Sequence, residues 1–282
     1  MTTTNTSALL GTLLNNIQEI ALLAASEQDI IAPLVHNYFA GTDTMAPRTV
    51  AAYTGGTMGT IGETTDLTPQ TLTPAASQTF YPAIYSASYI LTDARIASDP
   101  YGAAADAGKD LGRLASVGID TNLAGLFNAK FTAGTQGTQA AALTWALIMK
   151  ASALCRAKFA PQPYSCVLTP AQWYDLTAAT SGVPTLLQSQ ELMSSLGGNF
   201  YQASWSGINF YVDANAPGTA GTCFSGIFNM DAIGLDIRRG LRIEAQRDAS
   251  LGGGAIELNA SIVYAYGVLR PTFGCELIGS SY

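Results

Sequence analysis

The stretch AIGLDIRRGLRIEAQRD, residues 232–248, reads with a period of two. Apolar Ile233, Leu235, Ile237, Leu241, Ile243 and Ala245 alternate with Asp236, Arg238, Arg242, Glu244 and Asp248. That is the pattern of a long strand with one covered face. The segment ASLGGGA, residues 249–255, reads as a turn. Beyond it Ile256, Leu258, Ala260, Ile262, Tyr264, Tyr266 and Val268 resume the period. Strands usually run about five or six residues, so arms of this length predict a hairpin that spans a whole domain.

Immediately upstream the signals are mixed helix and strand. YSCVL, GINFYVD and CFSGIFN read as short strands. Thr169-Pro170-x-Gln172 opens a helix with a capping box, running to about Ala179. A helix is expected from Ala141 to Phe159, ended by Pro161 and Pro163, and another over 184–196, stopped by Gly197 and Gly198. Together these form a compact α/β unit. Further back, Asp99 is a good N-cap and Pro100 a good first helical residue, which predicts a long helix over 100–127. Asp106, Lys109, Asp110, Arg113 and Asp120 share one face of it. Ala104, Gly108, Leu111, Ala115 and Ile119 share another, small enough for something to pack close. Phe80 to Leu91 has β character. Leu9, Leu10, Leu13, Leu14, Ile17, Ile20, Ala21 and Ala24 fall at helical spacing, so residues 8–25 read as an amphipathic helix with nothing nearby in sequence to cover it. Ser26-x-x-Asp29 suggests a cap for a second short helix before Pro33.

Between these regions lies TGGTMGTIGETTDLTPQTLTP, Thr54 to Pro74. Eight of its 21 residues are threonine, four are glycine, and none is basic. Threonine favours extended backbone, the glycines allow turns, and Pro69 and Pro74 confine pairing to an edge. Residues 48–80 therefore read as an extended two-stranded loop with little core of its own.

Composition narrows the function. The chain has 282 residues, enough for a sizeable core. Hydrophobic residues make up 48% but charged ones only 12%, where about 25% is usual. A surface so poor in charge belongs either in a membrane or against neighbours. The best apolar run, Leu9 to Leu23, is broken by Thr12, Asn15, Asn16, Gln18 and Glu19, too polar to span a bilayer, and no signal peptide is evident. Burial in an assembly is the better explanation. Net charge is −7, with only 13 basic residues, which disfavours a dedicated nucleic-acid groove. Four scattered cysteines, Cys155, Cys166, Cys223 and Cys275, read as buried reduced thiols of a protein made in a cytoplasm. The single histidine, His36, reads as structural. No G-x-S-x-G, no zinc spacing, no phosphate loop and no dinucleotide fingerprint occurs, so no catalytic residue, metal ligand or cofactor is expected.

The order of elements carries a resemblance. An N-terminal arm precedes an extended loop with Glu63 in IGETTDL. Next come β structure and a spine helix reading LGRLASVGIDTNLAGLF. An α/β unit follows with ALCRAKFAPQPYSCVLTPAQWYDL, then GINFYVD, NMDAIGLDIRRGLRIEAQRD and IVYAYGVLRPTFGCELI. This resembles the major capsid proteins of tailed bacteriophages, with the α+β Hong Kong 97-type fold. The resemblance implies an N-terminal arm (1–47), an extended loop (48–80), and a peripheral domain with the spine helix (81–135). It further implies an axial domain (136–232), the peripheral-domain long hairpin (233–270) and a C-terminal return to the axial domain (271–282).

It implies a structural protein, not an enzyme, that assembles as hexamers and pentamers into an icosahedral shell around double-stranded DNA. Expected partners are other copies of itself, a separate scaffolding protein and a portal, with cement or decoration proteins as a further option. The expected location is the virion, after synthesis in the bacterial host cytoplasm. A separate scaffold is expected because residues 1–45 carry four acidic groups and no Lys or Arg, unlike the long charged internal scaffolds of some relatives. In that family the loop reaches over a neighbouring subunit, and the hairpin turn lies near threefold contacts. Four of the nine arginines, Arg238, Arg239, Arg242 and Arg247, crowd into ten residues. They are either a solvated hairpin face or candidate inter-subunit partners for Glu63 and Asp66. An encapsulin-like nanocompartment shell and a bacterial surface or adhesive protein are the alternatives.

Overall fold

The long hairpin forms, and it is the frame of a four-stranded sheet. The computed structural model describes residues 16–25, 29–39, 44–99 (apart from 52, 55–57, 61, 64–65, 67–68, 72 and 75–77), 102–178, 201–248 (apart from 220) and 254–280. The helix expected over 184–196 and the turn at 249–253 lie outside these residues.

In chain order, helix α1 covers residues 16–25. Strands β1 (His36–Phe39), β2 (Arg48–Val50), β3 (Tyr53–Thr54), β4 (Thr73–Pro74), β5 (Gln78–Phe80) and β6 (Ala83–Thr92) follow. Next are helices α2 (Asp93–Ser98) and α3 (Gly102–Ala124), strand β7 (Thr135–Gln136), helix α4 (Trp145–Ala157), strand β8 (Tyr164–Leu168) and helix α5 (Pro170–Ala178). Strands β9 (Tyr201–Trp205), β10 (Ile208–Val212), β11 (Gly218–Thr219), β12 (Thr222–Asn229), β13 (Ile233–Asp248), β14 (Ala255–Val268) and β15 (Gly274–Gly279) complete the chain.

The first sheet has the order β1-β13-β14-β6, all antiparallel except the β1–β13 pair. The expected arm therefore contributes an edge strand: His36–Phe39 run parallel to Gly234–Ile237. The spine helix α3 covers one face, and α1 lies on α3. Asp99 caps α3 as expected, its Oδ1 accepting from the Gly102 amide at 2.9 Å. The small residues of the spine also do what their size allows. A Cβ on Gly108 would come 2.9 Å from the Ile17 carbonyl oxygen, and one on Gly112 only 2.1 Å from that of Ala21. The arm helix thus finds its cover inside its own chain. Ile17 and Ala21 join Leu111, Ile243 and Leu258 in one apolar cluster. Burying a side chain such as Ile17 contributes about 1.5–3 kcal/mol.

The second sheet runs β7-β15-β12-β8-β10-β9, with β11 paired to β12. It packs with α4 and α5 around Trp145, Ile148, Tyr164, Phe210 and Leu277. The capping box at the start of α5 is reciprocal: the Gln172 amide donates to Thr169 Oγ1 at 3.3 Å, and the Thr169 amide to Gln172 Oε1 at 3.2 Å. A third apolar cluster, including Ile31, Leu123, Phe127, Val167, Phe228 and Leu235, joins the two sheets.

Several local expectations are corrected. Of the second short helix expected before Pro33, residues 26–28 lie outside the described residues and 29–31 are not helical; a 3-10 turn, Ala32–Leu34, contains that proline. The helix α2 was not foreseen; Thr92 caps it by accepting from the Arg95 amide. The spine helix ends at Ala124 and tightens into a 3-10 turn over Gly125–Phe127. On the spine, Asp120 belongs to the interior, fully buried, not to the polar face. On the hairpin, Asp236 and Arg238 are buried as well. Both faces of the hairpin root are covered, one by the core and the other by the foot of the extended loop.

Candidate assembly surfaces

The extended loop is two-stranded at its foot, as its composition suggests. Arg48–Val50 pair antiparallel with Gln78–Phe80, and Tyr53–Thr54 with Thr73–Pro74. Two anchors hold that foot to the hairpin. Phe80 is buried, and its ring lies on Gly234 and Gly267, which face each other across the hairpin. A Cβ on either glycine would come within 2.9 Å of the ring. The second anchor is ionic. Asp236 Oδ2 accepts from Arg48 Nε at 2.9 Å and from Arg238 Nε at 3.0 Å. Two guanidiniums thus share one buried carboxylate. Arg238 is itself buried, whereas the Arg48 side chain is 31% exposed and lies over the Tyr38 ring. Met58, Gly59, Thr60, Gly62, Glu63, Asp66, Pro69, Gln70 and Thr71 are all exposed.

The six charged residues expected to join subunits have different surroundings. Glu63 and Asp66 sit exposed on the loop. Arg242 is exposed and bonds Glu244 on its own strand at 2.5 Å. Arg247 is exposed and reaches the N-terminal turn of α2, where both its terminal nitrogens donate to Asp93 at 2.8 and 2.5 Å. Arg239 donates to Ser261 Oγ at 3.3 Å. Arg238 is committed inside the chain to Asp236, so the solvated-face reading does not hold for it.

A cluster that the sequence did not disclose lies where arm, spine and α/β unit meet. The Ile30 and Ile31 amides donate to Asp120 Oδ2 at 2.9 Å and Oδ1 at 3.1 Å. Burial lifts the Asp120 carboxyl to about 7 against the pull of those two amides, and the nearby Asp213 and Asp29 carboxylates add to the rise. Burial also raises Asp29 and Asp213. One oxygen of each, Asp29 Oδ1 and Asp213 Oδ2, is buried without a hydrogen-bond partner among the described residues. Elsewhere the spine and sheet are joined by polar contacts. The Tyr89 hydroxyl donates to Asp110, which also pairs with Arg113 at 2.8 Å and is held below the usual carboxylate range. The Asn122 amide donates to the Tyr264 hydroxyl at 2.6 Å.

The four cysteines are buried and unbridged. Burial pushes Cys155 and Cys275 up to about 12 and Cys166 higher still, the reverse of what a nucleophile needs. His36 Nδ1 lies 3.2 Å from Asp231 Oδ1, and its ring packs on Tyr38. Among the described residues no cluster of His, Cys, Asp and Glu suits a metal ion, and no helix is long and apolar enough to cross a membrane.

No known family model matches the chain, and no curated protein does. Solved structures match it almost end to end. A protein of Mycobacterium phage Che8 is 18% identical, with 89% of this chain and 91% of that one aligned at a TM-score of 0.65. The capsid of Ralstonia phage GP4 is 11% identical, with 88% and 87% aligned at 0.69. A virus-like particle from Pyrococcus furiosus is 9% identical, with 94% and 98% aligned at 0.62. At these identities the likeness is one of fold: the chain has the α+β Hong Kong 97-type fold of tailed-phage capsid proteins.

Proposed function

We propose that this chain is the structural major capsid protein of a tailed phage, closing as hexamers and pentamers into an icosahedral shell around double-stranded DNA. The observation that carries this is the extended loop. It is fastened to the hairpin by Arg48 and Phe80, yet its outer part is exposed at every described position from 58 to 71. A second copy supplies what that loop lacks. A surface with few charges fits the same reading, because neighbours cover it. The arm, spine and hairpin form the peripheral part, and the second sheet with α4 and α5 the axial part. A separate scaffold, a portal and, where present, decoration proteins are its other partners; catalysis and cofactors have no role. Phage capsids among the structural matches favour this reading over a cellular nanocompartment.

Expression with the scaffold is expected to give closed particles tens of nanometres across by negative-stain microscopy. A monomer or small ring under every assembly condition overturns the reading. Shells that form but enclose protein cargo in place of DNA in their native source support the nanocompartment. Within the shell, Glu63 and Asp66 on the loop face Arg242 and Arg247 of a neighbour, where a guanidinium fork suits a carboxylate. Glu63→Ala or Arg242→Ala then leaves the subunit folded but weakens particles, most in high salt. Particles as salt-resistant as the parent show these charges to be ordinary surface.

A further inference from the structure

Strand β6 is an edge of the four-stranded sheet. Its ten residues pair with β14 from Ala83 to Thr92 without a register shift, and its other side pairs with nothing among the described residues. Soluble proteins blunt such edges with charges, prolines, bulges or a covering element. Within β6, AIYSASYILT, there is no charge and no proline, and its ladder has no bulge. Two large apolar side chains stand out from it: Ile84 is 59% and Ile90 55% exposed.

The sequence of this edge is self-complementary. Residues 84–90, IYSASYI, read the same in both directions about Ala87. Two antiparallel copies aligned on Ala87 place Ile84 opposite Ile90, Tyr85 opposite Tyr89, and Ser86 opposite Ser88. Each pair lies on one face, because its members are an even number of residues apart. Every apolar residue meets its like, every hydroxyl meets a hydroxyl, and no charge faces a like charge. A contact in which one patch meets itself is what a twofold axis requires.

We propose that β6 is the docking edge for a second copy of this chain. Two β6 strands pair antiparallel about a twofold axis through Ala87, joining two four-stranded sheets into one of eight strands. The contact covers Ile84 and Ile90 of both copies and satisfies two open edges at once. This rests on the reading that copies of the chain assemble, and it names one surface through which they do so.

The pairing is tested with two single-cysteine variants, Ser86→Cys and Ser88→Cys. The four native cysteines are buried and do not compete. Coassembled and treated with diamide, the mixture is expected to give a disulfide-linked dimer on a non-reducing gel, and either variant alone is not. Charge supplies a second test. Ile84→Lys is expected to weaken dimerisation roughly tenfold, and the double change I84K/I90D to restore it. Rescue within one copy is excluded, since positions 84 and 90 lie about 20 Å apart along the strand. Particles that form while the mixture gives no dimer, or no rescue by I84K/I90D, overturn the proposal and leave the capsid reading standing. A crosslinked dimer from a chain that never forms particles supports the edge and overturns the capsid reading.

Discussion

Asp120 shows how a single buried acid shapes stability. Its carboxyl titrates near 7 in the folded chain, against an ordinary value of 3.8. Between those values the folded chain binds more protons than the unfolded one, so stability falls as the pH rises through that window. The loss is on the order of 2–4 kcal/mol, and Asp29 and Asp213, raised for the same reason, push in the same direction. Urea midpoints of the parent are therefore expected to fall from about pH 5 to about pH 8, and Asp120→Asn to flatten that slope; a parent slope that rises contradicts the account. Asp236 makes the opposite case, a buried acid with two cations. Removing it strands Arg238 in the interior, and Asp236→Ala is expected to cost about 3–5 kcal/mol. Arg48→Ala leaves the Asp236–Arg238 pair intact and is expected to cost far less, read by chemical denaturation. Neither acid was legible in the sequence. Asp120 lies on the polar side of a 3.6-residue pattern and Asp236 on the polar side of a two-residue pattern. What buries them comes from residues 30–31 and from the loop foot at 48 and 80, remote in sequence, and periodicity says nothing about remote cover.

At the scale of elements, the spine helix carries glycines with opposite duties. Gly112 sits under the Ala21 carbonyl, with no room for a methyl group, whereas a Cβ on Gly118 meets nothing within 4 Å. Gly112→Ala is expected to displace the arm helix at a cost of about 1–3 kcal/mol and to speed hydrogen exchange over residues 16–25. Gly118→Ala is expected to stabilise the chain by about 0.5–1 kcal/mol. Equal effects at the two sites would show that the arm does not rest on the spine. Elements with a long, clean period or a cap were readable: both hairpin arms, the spine helix behind Asp99, and the helix behind Thr169 and Gln172. The readings failed where the signal was short or the partner distant. Four residues, His36–Phe39, carry too little pattern to announce an edge strand, and α2 has only six residues behind its Thr92 cap. The hairpin itself breaks register between Ile237 and Arg242. A period of two read straight through that break takes no account of the change in which side chains face inward.

For the molecule as a whole, the chain's chemistry limits how the proposed shell would be held together. The first lysine is Lys109, on the spine helix, and residues 48–80 have none. A lysine–asparagine isopeptide bond through this loop therefore lacks its amine. Boiled, reduced particles are expected to run as one monomer band, and a ladder of covalent multimers refutes this. The fold as a class was legible because the elements occur in a recognisable order. Which surfaces meet was not, because an interface depends on faces that a single chain leaves bare. The parallel pairing of β1 with β13 also sets a schedule. His36 meets Gly234, and the two are made about 200 residues apart. A ribosome adding about 5–20 residues per second needs some 10–40 seconds to travel between them. The first sheet closes only after β14 has emerged. Neighbouring nascent chains on one messenger hold no finished first sheet during that interval, so any pairing through it waits until β14 is made.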